Sequence, residues 1–221
     1  MDKKALNDKL WRSAVLGNLE EVKRYIAEGA DKTYRKEGLF GWTALHAAAF
    51  AGHLHVVQWL IEECGKDPLD KSQDGKTVLQ LAARSGNFEL TKWLIEEKGM
   101  DPMVKSAKEG KTTLHLAAER GWLDVTQWLV DEKGMDPMDK TLQEGKTALH
   151  LAAENGKMRV TKWLIEKKGM DPLVKSSQGE TPYHLAAKDR GDDDAFKKYY
   201  KKQVMDYLKM MCTQIKTSVS S

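Results

Sequence analysis

Three glycine–lysine–threonine triplets carry residue types that could bind a phosphate group. A phosphate-binding loop ends in this triplet, and it also needs a glycine five residues before the triplet's own glycine. Those earlier positions hold Asp70, Lys105 and Lys140. Because no strand is predicted before the triplets either, the sequence argues against a nucleotide site. The triplets are Gly75-Lys76-Thr77, Gly110-Lys111-Thr112 and Gly145-Lys146-Thr147.

Four histidines recur at one position of a repeating pattern. A metal site or a general base needs partners that converge on one point, and these widely separated residues do not provide them. His53 and His55 flank Leu54, so they do not share a helix face as two ligands would. We therefore assign the recurring histidines a structural role. They are His46, His115, His150 and His184.

Other reactive groups also lack the partners that catalysis requires. No serine, cysteine or aspartate stands in a pattern that suggests a nucleophile with its base. Asp192, Asp193 and Asp194 could bind a cation weakly, but the capping of a helix N-terminus explains them more simply. We expect no catalytic, cofactor-binding or metal-binding residues and no cofactor, and hence a protein that is not an enzyme.

The composition argues against several other classes of protein. Charged residues of both signs make up 31% of the chain and leave a net charge of only +3, which gives no general case for nucleic-acid binding. Cys64 and Cys212 form no disulfide framework and favour the cytoplasm or the nucleus. The N-terminus has no apolar signal region, and no apolar run approaches the roughly 20 residues that span a bilayer.

A repeat of about 35 residues organises the whole chain. Gly41, Gly75, Gly110, Gly145 and Gly179 begin successive copies and lie 34, 35, 35 and 34 residues apart. Self-similarity at this period is typical of a solenoid built from one supersecondary unit. Such a fold has no single central core, because each repeat packs mainly against its neighbours.

One copy contains two predicted helices and a polar connector. The first helix begins at a capping threonine such as Thr112 and stops at a glycine such as Gly121. A Met-Asp-Pro segment follows the second helix, and its proline prevents the helix from continuing. The second helix has apolar residues at helical spacing. In this copy they are Leu123, Val125, Trp128 and Leu129.

This unit, with its G-x-T-x-L-H-x-A-A motif, resembles the ankyrin repeat over about Leu6 to Leu208. The sequence departs from the family pattern at Gln80, which replaces the usual histidine, and it has the family's proline only at Pro182. The resemblance implies an all-α ankyrin-repeat α-solenoid of about six helix-turn-helix units with projecting β-turn or hairpin fingers. It also implies that the recurring histidines make hydrogen bonds that tie adjacent repeats together. The matching segments are Thr43–His46, Thr112–His115, Thr147–His150 and Thr181–His184.

We expect a single domain over 1–221 with a cap at each end. A capping helix would pack against the last repeat through an apolar stripe and run past it. Because both ends look capped, we expect that the chain can stand alone. The stripe consists of Phe196, Tyr200, Val204, Tyr207 or Leu208, Met211 and Ile215. The predicted segments are an N-terminal capping repeat at 1–40, regular repeats at 41–74, 75–109, 110–144 and 145–178, a C-terminal repeat at 179–216 and a frayed tail at 217–221.

Tryptophans recur at one position in the middle of the second helices. Core stacking between second helices is the simpler interpretation. A ligand groove on the convex surface is the alternative. The residues are Trp59, Trp93, Trp128 and Trp163.

The resemblance implies that the fingers and first helices line a concave groove, and four aromatic residues fall on this surface. Trp42 and Phe50 would lie on the groove, with Tyr34 and Phe40 on the preceding finger. Exposed aromatic residues are typical binding anchors. Equally, these four residues could cover the junction between the N-terminal cap and the regular repeats.

Lysines recur along the same predicted surface. Lys76, Lys111 and Lys146 form one row, and Lys71, Lys105, Lys140 and Lys175 form a second. Two such rows would favour a partner with an acidic segment. Solvated finger lysines, compensated by Asp74, Glu109 and Glu144, are the simpler interpretation. The remaining predicted contacts are Arg84, Glu119, Arg120, Glu154 and Asn155.

These patterns predict a non-enzymatic module that binds another protein, as an adaptor or as a stoichiometric inhibitor. A preformed surface would lose little ordering entropy on binding. We expect a monomer without a small-molecule substrate. The alternative is polyanion binding, to acidic lipid headgroups or nucleic acid, through the lysine rows and the basic C-terminal helix. The lysines of that helix are Lys197, Lys198, Lys201 and Lys202.

Overall fold

A computed structural model of the chain describes residues 2–38, 40–188, 191 and 193–219, with side chains up to Ile215. In these residues the regular structure is entirely helical, which confirms the predicted all-α repeat class. The chain divides into two compact units, Met1–Lys108 and Glu109–Ser221. The first unit contains α1 (Lys3–Leu16), α2 (Leu19–Ala27), α3 (Ala44–Ala51), α4 (Leu54–Glu62), α5 (Val78–Ser85) and α6 (Phe88–Glu96). The second contains α7 (Thr113–Arg120), α8 (Leu123–Asp131), α9 (Ala148–Glu154), α10 (Met158–Glu166), α11 (Pro182–Ala187) and α12 (Ala195–Val219).

Each predicted repeat contains one pair of these helices, in the order in which they are given. Of the tail predicted at 217–221, the backbone is helical to Val219, and residues 220 and 221 lie outside the described residues. Asp192, the first residue of the predicted acidic cap, also lies outside them. The fraying of the tail therefore stays a prediction.

Reciprocal hydrogen bonds fix the start of the first helices from α3 onward. The Thr43 hydroxyl accepts the backbone N–H of His46, and the His46 ring accepts the N–H of Thr43 at Nδ1. Because Nδ1 accepts, Nε2 carries the proton and donates to the Asp70 carbonyl at 3.1 Å. Each bond satisfies a backbone group that the helix end leaves free. The same capping box occurs at Thr77, Thr112, Thr147 and Thr181.

The structure confirms that the recurring histidine is structural, and Gln80 shows why it can be replaced. The Gln80 side-chain oxygen accepts the N–H of Thr77 at 3.1 Å, and its amide nitrogen donates to the Val104 carbonyl at 2.9 Å. An amide side chain thus makes both of the bonds that a neutral imidazole makes. Each link joins the start of a first helix to the connector that leads into the next repeat.

The connectors fold back on themselves and bond to their neighbours within a unit. The Ser72 N–H donates to the Lys76 carbonyl at 3.0 Å, and the Gln73 N–H donates to the Phe40 carbonyl at 2.8 Å. Gly75 has a φ of +78°, and a Cβ there would lie 2.7 Å from the Ala107 Cβ. Only glycine combines this conformation with so close an approach.

The core of each unit lies between its helix pairs. In the first unit α1 packs on α3 and α3 on α5, and in the second unit α7 packs on α9 and α9 on α11. The paired alanines of the first helices are buried and allow this close approach. Leucine and valine side chains of the second helices complete the core. Leu60, Leu90 and Leu94 are buried in the first unit, and Val125, Leu129, Val160 and Leu164 are buried in the second.

The last helix closes the second unit, but the predicted apolar stripe is wrong at its N-terminal end. Val204 and Leu208 are buried, as expected, whereas Phe196 is 76% exposed and Tyr200 is 49% exposed. Lys201 occupies the inward position of these turns instead. Its ammonium donates to Asp193 at 2.6 Å, so a buried ion pair rather than an aromatic ring faces the neighbouring helices.

Candidate functional site

Phe40, Trp42 and Phe50 form a cluster on the first unit, which we call the aromatic patch. The Trp42 ring centroid lies 4.9 Å from that of Phe50 and 6.4 Å from that of Phe40. Phe40 is 58% exposed and Phe50 is 39% exposed, whereas Trp42 is half buried. The Trp42 indole N–H is buried and has no hydrogen-bond partner among the described residues.

The connector before α3 holds this patch in place. Arg35 donates to the carbonyls of Gly41 and Lys71 and forms an ion pair with Asp70 at 2.8 Å. Phe40 has a φ of +53°, which is an uncommon conformation for a bulky residue. The backbone therefore directs a phenyl ring towards solvent at a conformational cost.

Tyr34, the fourth predicted aromatic contact, has a different environment. It is half buried, and its hydroxyl donates to the Asp8 carboxylate at 3.0 Å. Lys36 binds the same carboxylate at 2.7 Å. These bonds fasten the first connector to α1, so Tyr34 has a structural role in addition to any role in binding.

The prediction of an exposed row of lysines is wrong for Lys76. Its side chain is only 2% exposed, and its ammonium contacts the Asp74 carboxylate at 2.9 Å. Asp74 also accepts the Ser72 hydroxyl, and these bonds hold the pKa of Asp74 below its usual value although burial opposes the shift. A buried charge must be paired and hydrogen-bonded, and the bond to Asp74 meets this requirement. The connector can therefore enclose this lysine.

The same correction applies in the second unit to Lys146 and Glu154, each of which is 4% exposed. The Lys146 ammonium lies 3.0 Å and 3.1 Å from the two carboxylate oxygens of Glu154, and Glu144 contacts it at 3.0 Å. Lys111 forms the corresponding pair with Glu119 at 2.9 Å and is less enclosed. Lys111 and Lys146 thus each bind a glutamate near the end of the first helix that follows them, whereas Lys76 binds Asp74 of its own connector.

These ion pairs reduce the number of exposed, unpaired lysines on which polyanion binding would depend. Lys76 and Lys146 are buried, Lys111 is bound to carboxylates, and Lys201 is buried against Asp193. Lys197 also contacts Asp193 at 2.5 Å. These hydrogen bonds bring the pKa of Asp193 to about 2. Polyanion binding through these lysines remains an untested prediction.

The remaining predicted contacts lie in both units. Arg84 is half buried at the end of α5 in the first unit. In the second unit Glu119, Arg120 and Asn155 line one cleft of about 330 Å³. Sequence reasoning missed the aromatic side of this cleft, because the predicted stripe placed Phe196 and Tyr200 in the core.

The tryptophans of the second helices lie half buried, and a lysine covers three of them. The ammonium of Lys98 lies 4.8 Å from the Trp93 ring centroid, and that of Lys168 lies 5.2 Å from that of Trp163. Lys133 lies 4.8 Å from that of Trp128. These three rings are therefore partly buried beneath a lysine ammonium, and this environment differs from the full burial in a stacked core that the simpler interpretation predicted.

The connectors also expose an apolar residue that sequence reasoning did not select. In each Asp-Pro-X segment, the aspartate carboxylate accepts the N–H of residue X at 2.8 Å. The repeated Asp-Pro pair was the available signal, because aspartate commonly bonds the backbone two residues on in turns, and turns lie on the surface. These residues are Leu69, Met103, Met138 and Leu173, which are 60%, 47%, 42% and 38% exposed.

Titratable groups provide no catalytic arrangement that can be identified in the described residues. Burial lowers the pKa of His46 and of His150, which fits neutral rings that cap helices. Within the described ranges, no group of three or more histidine, cysteine or acidic side chains could hold a metal ion. Over the same part of the chain, no helix has the length and apolarity needed to cross a membrane.

Comparison with known proteins places these repeats in a family. A family model of ankyrin repeats matches residues 10–106, 64–141 and 114–198. Similar proteins include the Notch-regulated ankyrin repeat-containing proteins of Homo sapiens and Danio rerio (form B), both 48% identical over 52 residues. The Xenopus laevis protein of that name is 46% identical over 52 residues. Each match covers 24% of this chain and 44% of the human and frog proteins or 45% of the zebrafish protein, so it spans less than half of these relatives.

Family membership agrees with the architecture of capped helix pairs and folded connectors. Ankyrin repeats are in general non-enzymatic interaction domains, and the similar proteins are themselves ankyrin repeat-containing proteins. The chain belongs to the ankyrin-repeat family, and its repeats indicate a protein–protein interaction module.

Proposed function

We propose that the chain is a non-enzymatic adaptor or stoichiometric inhibitor that binds a partner protein through the aromatic patch. The observation that carries this proposal is the exposure of Phe40 and Phe50, 58% and 39%, in contact with the ring of Trp42. Rings that are exposed to water in the free protein can be buried when a partner protein covers them. Aromatic anchors of this kind contribute most of the energy in many interfaces.

Rigid display is the mechanism that we propose for the patch. The hydrogen bonds of Arg35 and the capping box at Thr43 fix the backbone on which the aromatic residues stand. Because little of this surface must be ordered on binding, more of the contact energy appears as affinity. The positive φ of Phe40 supports a functional role, since strained residues occur preferentially at ligand contacts.

Specificity would come from polar residues of the connectors and first helices. Within the first unit, which holds the aromatic patch, we assign this role to Arg84. We further propose a monomer that acts in the cytoplasm or the nucleus. Cys64 and Cys212 are not joined in a disulfide, which supports a reducing compartment.

A paired comparison of variants tests the proposal. Phe40→Ser with Phe50→Ser removes the exposed rings, and Leu16→Ser, at a 74% exposed residue of α1, is the matched control. Tagged proteins would be used to purify partners from the source cell, with quantitative mass spectrometry of the recovered proteins. We expect the patch variant to recover at least about tenfold less of the bound partner, whereas the control recovers it fully.

Circular dichroism and thermal melting would establish that both variants are folded. If the folded patch variant recovers the same proteins in the same amounts as the wild type, the aromatic patch is not the binding surface. Equal losses in the patch variant and the control would also contradict the proposal, because they would indicate a general effect of polar substitution.

A further inference from the structure

A second surface lies entirely within the second unit, between the end of α7, the turn from α9 to α10, the start of α10 and α12. Two adjoining clefts of about 330 Å³ and 320 Å³ share Arg120, Gly156, Lys157 and Tyr200, and we call them together the C-terminal cleft. Each volume is within the lower range of ligand pockets. Gly156 permits the approach of α12, because a Cβ there would lie 2.9 Å from the Lys201 backbone nitrogen.

Three cationic side chains line this cleft without a partner. Arg120, Lys157 and Arg159 have no ion pair and no side-chain hydrogen bond with any described residue. Lys146 and Lys201, in contrast, each bind carboxylates. Three unpaired positive charges therefore line the cleft.

The local electrostatics agree with this geometry. Burial lowers the pKa of Lys157, the nearby charges of Arg120 and Lys197 lower it further, and the charge of Glu119 opposes the shift. The two carboxylates in the cleft are already engaged. Glu119 binds Lys111 at 2.9 Å, and Asp194 accepts the backbone N–H of Lys197 at 2.7 Å. A bound anion would relieve the repulsion among the cations.

Exposed aromatic rings stand beside these cations. Phe196 is 76% exposed and lines one cleft, and Tyr200 is 49% exposed and lines both. An apolar side chain next to an anionic group could thus contact a ring while the anion contacts the cations. The surface offers complementary chemistry for two neighbouring groups of one ligand.

We infer that the C-terminal cleft binds an acidic peptide segment of a partner protein, in which carboxylates stand next to an aromatic residue. A peptide suits the cleft better than a polyanion does, because a continuous row of phosphates offers no apolar group to the exposed rings of Phe196 and Tyr200. The inference rests on the proposed function in assuming a protein partner. It uses a different unit from the aromatic patch, so the two assignments can fail separately.

Nuclear magnetic resonance of the full ¹⁵N-labelled chain can test this inference directly. The probe is the synthetic peptide acetyl-GDEFDG-amide, and the matched probe is the uncharged acetyl-GNQFNG-amide. We expect saturable shifts of the amide signals around Asn155, Gly156 and Tyr200 with the acidic peptide only. Shifts confined to other regions, or equal binding of the uncharged peptide, would overturn the inference.

Charge-neutralising variants locate the site. Lys157→Gln and, as an exposed second variant, Arg120→Gln should each weaken binding of the acidic peptide about tenfold. Lys167→Gln makes the same charge change at an exposed lysine that does not line the cleft, and it should leave affinity unchanged. Unchanged affinity in both cleft variants would overturn the assignment. Tighter binding of a short DNA duplex or of phosphatidylserine vesicles would overturn it in favour of a polyanion.

Discussion

Replacing Lys146 by methionine should destabilise the second unit more than any replacement of a surface lysine. Lys146 and Glu154 are each 4% exposed, and the ammonium lies within 3.1 Å of both oxygens of Glu154. Lys146→Met removes the cation but leaves the Glu154 carboxylate buried. Removal of one member of a buried pair costs about 3–5 kcal/mol, compared with about 0–1 kcal/mol for an exposed pair.

The double variant separates the value of the pair from the cost of a lone charge. Lys146→Met with Glu154→Leu replaces both ions by apolar groups of similar size. Such replacements are often neutral or stabilising, so the double variant should recover to within about 1 kcal/mol of the wild type. The interaction energy from this double-mutant cycle should then be large and should favour the intact pair.

Urea unfolding followed by circular dichroism is the appropriate assay, with Lys167→Met as the exposed control. Lys111→Met should give an intermediate loss, because the Lys111 side chain is 12% exposed against 5% for that of Lys146. A loss below about 1 kcal/mol for Lys146→Met would refute the reasoning, since it would place this lysine among ordinary surface ion pairs.

Two further predictions concern protonation and backbone conformation. Burial lowers the pKa of His46 and His150, so the unfolded state binds more protons below its pKa of about 6.5, and the free energy of unfolding should fall as pH drops through that value. Replacing both by glutamine, the residue found at Gln80, should flatten this slope in urea titrations at several pH values, whereas an unchanged slope would contradict the assignment. Gly75→Ala should cost about 1–3 kcal/mol of unfolding free energy, and more than Gly65→Ala, because both glycines have positive φ but nothing lies within 4 Å of a Cβ at Gly65. Equal losses in thermal melts would show that contact with the neighbouring connector does not matter.

The repeat fold could be predicted from the sequence because short-range chemistry specifies its helix ends. Thr112 satisfies backbone groups at the start of α7, and Gly121 adopts a φ of +85° at its end. These effects depend on residues a few positions apart and recur in each copy. Gln80 also fits, because its amide makes both bonds of the histidine that it replaces.

The burial of the lysines could not be predicted in the same way, because it depends on which carboxylate each ammonium reaches. Lys111 and Lys146 each reach a glutamate eight residues later, at Glu119 and Glu154. The copy that begins at Gly75 has Arg84 at that position, and Lys76 binds Asp74 instead. An alignment of the repeats shows that two copies have a glutamate eight residues after the lysine and that the third has an arginine there. Only the fold shows that the lysine and the glutamate form an ion pair.

The aromatic residues show the other limit of sequence reasoning. The pattern placed Phe196 and Tyr200 in an apolar stripe, but the buried pair of Lys201 with Asp193 turns a different face of α12 inward. Hydrophobic spacing cannot reveal this rotation, because the polar pair takes an inward position usually held by an apolar residue. For Phe40 and Phe50 the sequence left anchor and junction packing equally open, and their exposure now supports the anchor.

The lysine-covered tryptophans have a consequence for how such a chain can grow. Within the first unit Lys98 covers Trp93 of its own repeat and binds Glu62 of the preceding repeat, and within the second unit Lys168 covers Trp163 and binds Asp131 in the same manner. The copies that begin at Gly75, Gly110 and Gly145 each have an acidic residue three positions after this tryptophan and a lysine five positions after it, whereas the copy that begins at Gly41 has Cys64 in place of the lysine. Tandem duplication of one 35-residue segment would create a new joint with both halves already present, so the array can lengthen without any compensating substitution.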